Sequence, residues 1–158
     1  MRDAAVSCMN KLRKLSWFPP LLARVTLATA FLVSGSGKLQ HLSKDVDYFK
    51  KLVIPLPEIM TPFVAGTEVT CGSLLLAGLF TRAASVPLSV TMAVAILTAK
   101  RKDFHSFSEL TGVFEFSYLI LLSYLLVEGA GKVSVDELIE ARRRRKSQGP
   151  PRELYKIA

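Results

Sequence analysis

Four apolar runs, each about 17 to 22 residues long and set apart by clusters of charge, constrain this chain more than any other feature. At 1.5 Å per residue, a helix of that length crosses the ~30 Å hydrocarbon core of a bilayer. The runs lie at about 20–37, 59–80, 83–99 and 107–127, and they lack the polar stripe of a surface helix in a soluble bundle. A soluble bundle with buried-core helices is the weaker alternative. The expectation is an all-α polytopic membrane protein, a four-transmembrane-helix bundle. Composition agrees: half of the 158 residues are hydrophobic and the mean hydropathy is +0.33, above the usual range for a soluble domain of this size.

The connections refine the topology. Phe80–Ala83 is so short that the second and third runs must form a tight antiparallel hairpin, with Arg82 at its tip where the charge reaches water. The first connection, Lys38–Glu58, ends in VIPLPEIM, where Pro55 and Pro57 stop a helix from running through. Fourteen Lys and Arg fall on the side of the two termini and seven on the other, so both ends are expected in the cytoplasm. The chain thus divides into a basic N-terminal segment (1–19), a membrane domain (20–132) and a basic C-terminal tail (133–158).

The N-terminus has the outline of a cleaved signal peptide, but Arg24 interrupts the apolar run and the leader is long. Trp17 and Phe18 read better as an interfacial anchor of a retained helix. In the tail, ELIEARRRRK suits a helix with Leu138 and Ile139 on one face, ended by Pro150 and Pro151. The net charge of +8 is concentrated at the two termini, beside apolar runs. Anionic lipid is therefore the expected partner of both ends, with a solvated tail as the plain alternative and nucleic acid not expected. Cys8 and Cys71 form no disulfide framework and no C-x-x-C motif is present.

Two carboxylates interrupt the apolar runs. An acid in the bilayer costs about 2.5–3.5 kcal/mol on insertion scales, so it usually faces a bundle interior and finds a partner. Glu68 lies about nine residues into the second run and Glu115 about eight into the fourth. Both are then expected roughly 12–14 Å below the same surface, where they can meet. Small residues at Ala65, Gly66, Gly72 and Gly78 would let helices approach around Glu68. Lys38 and Lys100 end the first and third runs on the same side and can reach inward by snorkelling. The functional reading is a polar site for a proton, a quinone headgroup or a small polar ligand. The structural reading makes both acids packing devices that hydrogen-bond between helices. Cys71 shares a helical face with Glu68 and reads as a small core residue, and Tyr118, three residues after Glu115, reads as core filling with a hydroxyl to donate. His41 and His105 have no ligand spacing, so no metal is expected, and the glycines of SGSGK follow no strand, so no nucleotide loop is either.

Several of these segments together resemble the DoxX family of small bacterial membrane proteins. They are SGSGKL (Gly35, Lys38), VIPLP, GTEVTCGSLLLAGLFTR (Glu68, Gly72, Gly78, Arg82), AVAIL, FEFSYLILL (Glu115) and the closing GAGKVSVDELI. The resemblance covers about Leu21 to Asp136. It implies a four-helix protein of the bacterial inner membrane with a link to respiratory or redox chemistry. Family members often carry a histidine after the third helix, where this chain has Lys100. The expectation is a quinone-interacting or accessory subunit of a membrane redox system, acting with a redox-enzyme subunit or soluble partner. Its polar centre is Glu68 and Glu115, its positioning charges are Lys38 and Arg82, and Lys100, Tyr118 and Cys71 are secondary. No cofactor is expected within the chain, quinone is the candidate ligand, and homo-oligomers are one expected assembly. A small proton-coupled transporter and a non-enzymatic membrane scaffold are the alternatives.

Overall fold

The computed structural model describes residues 16–99, 112–131 and 133–147, and among these the regular structure is helical throughout. The six helices are α1 (Phe18–Gln40), α2 (Leu42–Lys51), α3 (Pro57–Ala77), α4 (Thr81–Ala99), α5 (Phe114–Glu128) and α6 (Val135–Ser147). Prolines open α1 and α3, where the missing N–H would have no intrahelical partner. Helix α3 closes in a Schellman motif: Leu79 N–H donates to Leu74 O at 2.9 Å and Gly78 N–H to Leu75 O at 3.0 Å. This stop ends α3 three residues before the expected Phe80.

Four helices form a ring. Helix α1 packs on α3 and α5, and α4 packs on the same two, which leaves α3 and α5 on one diagonal and α1 and α4 on the other. Leu27, Ala28 and Phe31 of α1 meet Leu75 of α3, Leu88 and Met92 of α4, and Leu122 and Leu125 of α5 in the buried centre. The Phe31 ring packs at a tilt on Tyr118, with centroids 6.1 Å apart.

The bundle is apolar outside and partly polar inside. Val33, Phe63, Val90, Leu97 and Val127 are all more than half exposed, whereas Arg24, Thr61, Glu68, Thr81 and Ser85 are buried. Water would penalise such an exterior and hydrocarbon would not. Helix hydroxyls such as Thr61, Ser73, Ser85 and Thr98 donate to the carbonyl four residues earlier and need no solvent. Helices α1, α3 and α4 are long and apolar enough to cross a membrane. The fourth helix of the ring, α5, has 15 residues, about 22 Å of rise. The expected start of the fourth run at 107 lies outside the described residues.

The first connection contains an element that the proline argument passed over. Helix α2 occupies its first half, with Val46, Phe49 and Leu52 half-buried on one side, and it packs on α3. Pro55 and Pro57 act only downstream of it.

Candidate functional site

The glycine of SGSGK builds the first polar feature. Gly35 is buried where α1 crosses α3, and a Cβ there would lie 2.8 Å from Val69 Cγ2 and 3.0 Å from both Ala65 O and Glu68 Cβ. The missing side chain lets the two backbones approach. One helical turn later, Lys38 Nζ sits 2.5 Å from Glu68 Oε1, and Nζ also donates to Ser34 Oγ at 3.2 Å. The Lys38 side chain keeps 24% exposure while Glu68 keeps 1%. The other carboxylate oxygen, Glu68 Oε2, is buried and has no hydrogen-bond partner among the described residues. The pair therefore combines a partly accessible cation, a sequestered acid and one acceptor left unpaired among the described residues. Losing either partner of a buried pair typically costs about 3–5 kcal/mol, because the other charge is stranded.

The remaining expected site residues are distributed differently. Glu115 stands half-buried in the first turn of α5, and no hydrogen bond or ion pair joins it to Glu68 among the described residues. The ring order explains this: α3 and α5 are diagonal, so equal depth would not bring their acids together. Along their helices the two acids also sit differently, Glu68 eleven residues after Pro57 and Glu115 one residue after Phe114. Tyr118 packs its ring on Phe31, and Cys71 is half-buried against the core. Lys100 and His105 lie outside the described residues. Gly66 opens onto free space and Gly78 lies at the far end of α3, so of the four small residues Ala65 and Gly72 make the close approach to α1.

Arg82 stands at the tip of the α3–α4 hairpin, as expected, away from Glu68. It is exposed, and Nη2 donates to Val127 O at 2.9 Å, tying the first turn of α4 to the last turn of α5. Here a second cluster of buried polarity appears. Arg24, 3% exposed, donates from Nε to Leu75 O (2.9 Å), from Nη1 to Ala130 O and Val133 O (both 2.8 Å), and from Nη2 to Leu76 O (3.3 Å). It thus binds carbonyls at the end of α3, Leu75 O in addition to its bond from Gly78 N–H, and in the α5–α6 turn. Asp136 completes the cluster. Its Oδ1 accepts from Phe80 N–H at 2.9 Å and its Oδ2 from Thr81 N–H at 3.1 Å, capping α4, while its own N–H donates to Gly78 O at 3.0 Å. Sequence reasoning gave neither residue a role. The available signals were an arginine inside an apolar run, which must find acceptors, and the aspartate of the closing GAGKVSVDELI.

Comparison with known proteins agrees with this architecture. The DoxX family profile matches residues 20–101. The Bacillus subtilis protein named "Putative oxidoreductase CatD" is 32% identical over 121 residues, which cover 75% of this chain and 85% of that protein. A Mycobacterium tuberculosis protein named "Uncharacterized membrane protein Rv3486" is 28% identical over 137 residues, 78% of this chain and 84% of the relative. No solved structure matches the chain.

Proposed function

The chain belongs to the DoxX family of membrane proteins, and we propose that it is a quinone-interacting subunit of a membrane redox system, with Glu68 and Lys38 as its polar site. The observation that carries this reading is the buried acceptor Glu68 Oε2, without a hydrogen-bond partner among the described residues, beside a partly exposed ammonium. A quinone headgroup suits that arrangement. Lys38 can donate to a carbonyl oxygen of the oxidised form and Glu68 Oε2 can accept from a hydroxyl of the reduced form. When bound, the quinone would supply the two-electron redox chemistry. The residues of the chain would bind and orient it and hold a proton at the carboxylate, in a site with little water to screen them. The name of the Bacillus subtilis relative supports a redox context, and an enzyme partner would supply the electrons.

The proposal places the protein in a bacterial inner membrane with both termini in the cytoplasm. The distribution of Lys and Arg, fourteen against seven, supports this orientation, and the relatives named above are bacterial. The test is electron transfer into the quinone pool of membranes carrying Glu68→Gln, with Lys38→Gln/Glu68→Gln as a variant in which no charge is stranded. Transfer should be lost in both while the proteins remain folded and at normal abundance. Unchanged transfer in the folded double variant would refute the assignment.

A further inference from the structure

The sequence VDELIEARRRRKS divides into two faces once it is wound into α6. At ~100° per residue, Val135, Leu138, Ile139, Arg142 and Lys146 fall within one arc of about 100°, and Asp136, Glu137, Glu140 and Arg144 fall in the opposite arc. Asp136, Glu137 and Glu140 line a cleft of about 670 Å³ together with Arg82 and the α5–α6 turn. Within this arc Arg144 Nη2 bonds Glu140 Oε1 at 2.6 Å, and this bond, aided by the nearby Arg82, holds the Glu140 carboxyl below its usual range. The acidic face is therefore matched by guanidinium groups within the chain.

The other face has no such match. Leu138 is 64% exposed, Ile139 and Val135 are exposed, and Arg142 and Lys146 are exposed beside them. Its surroundings follow from the Asp136 cap. Asp136, the second residue of α6, holds the backbone of Phe80 and Thr81 at the point where α3 and α4 turn around. These two helices cross the membrane, so the start of α6 lies within about a helix diameter, ~10–12 Å, of the leaflet surface at that end. From there α6 extends about 20 Å at 1.5 Å per residue. A strip that is apolar over its first turns and cationic beyond them, tethered beside a bilayer, is complementary to acyl chains and anionic headgroups.

We propose that α6 docks through Val135, Leu138, Ile139, Arg142 and Lys146 onto anionic lipid of the leaflet at the Arg82 end of the bundle. Leu138 and Ile139 enter the headgroup boundary, and Arg142 and Lys146 pair with lipid phosphates. This docking is independent of the quinone reading, because it concerns the opposite end of the bundle and none of the same residues.

The test uses the full chain in nanodiscs. An environment-sensitive fluorophore is attached at Ala141→Cys in a Cys8→Ser/Cys71→Ser background. Ala141 lies beside the proposed face rather than on it. The discs contain phosphatidylcholine alone or phosphatidylcholine mixed with phosphatidylglycerol. In the mixed discs the emission should shift to shorter wavelength and be quenched by nitroxide-labelled lipid, and high salt should reverse both effects. Arg142→Gln/Lys146→Gln should lower the docked-to-free ratio roughly 30-fold, about 2 kcal/mol at ~1 kcal/mol per basic residue. Both side chains are exposed, so helical content and monodispersity should not change. Identical emission in the two kinds of disc would overturn the proposal. So would a shift that survives the double substitution, which would indicate a protein or purely apolar contact instead.

Discussion

Gly78→Ala tests how the end of the bundle near Arg82 is held together. Gly78 has φ +68°, and a Cβ there would lie 2.7 Å from both Cζ and Nη1 of Arg24 and 2.9 Å from Nη2. The left-handed backbone alone costs an L-residue about 1 kcal/mol. The guanidinium must also move, and it cannot do so without weakening at least one of its four bonds to carbonyls. A hydrogen bond to a charged group contributes ~1.5–3 kcal/mol, so the total expected loss is about 2.5–4 kcal/mol. Arg24→Met removes the obstacle, and in that background Gly78→Ala should cost only the ~1 kcal/mol of backbone strain. The coupling energy is then about 2 kcal/mol, measured by a double-mutant cycle on reversible unfolding in mixed detergent–SDS micelles. A coupling below ~0.5 kcal/mol would refute the reasoning, because it would mean that Gly78 serves the backbone turn alone.

Gly35→Ala should separate α1 from α3 by a few tenths of an ångström and destabilise the bundle by about 1–3 kcal/mol. It should also expose Lys38 to amine-reactive reagents faster than in the parent protein, and an unchanged labelling rate would argue against the close approach. Asp136→Ala removes both acceptors at the start of α4 and should cost about 1–2 kcal/mol, whereas Asp136→Asn, which keeps one acceptor, should retain part of the loss. The same micellar unfolding assay distinguishes them, and equal losses would remove the capping interpretation.

The membrane architecture was legible because hydrocarbon thickness imposes a length on every spanning run, and that length survives in the order of the residues. The Lys38 and Glu68 partnership was legible for a related reason: an acid within a run must find a partner, and the lysine closing the neighbouring run was within reach. Among the described residues no bond joins Glu68 to Glu115: depth along a helix says nothing of which helices are neighbours, and the ring keeps α3 and α5 on a diagonal. Arg82 was legible as the hairpin tip, but its bond to Val127 O was not, because a backbone carbonyl carries no mark in the sequence. Arg24 was read as a break in an apolar run. Its four acceptors are backbone carbonyls, which every residue type possesses, so composition gave no sign of where they would be. Helix α2 is too short and polar to register in a search for spanning runs.

The bonds of Arg24 to Ala130 and Val133 join positions 106 and 109 residues apart, and they impose an order on synthesis. Chains emerge N-terminus first at about 5–20 residues per second. Arg24 therefore enters the membrane on the first span several seconds before its last acceptors exist. In that interval its charge must snorkel to the interface, against an insertion cost of about 2.5–3.5 kcal/mol. The first span is thus inserted as a provisional element, and the clasp that secures it closes only once the turn after α5 has left the ribosome.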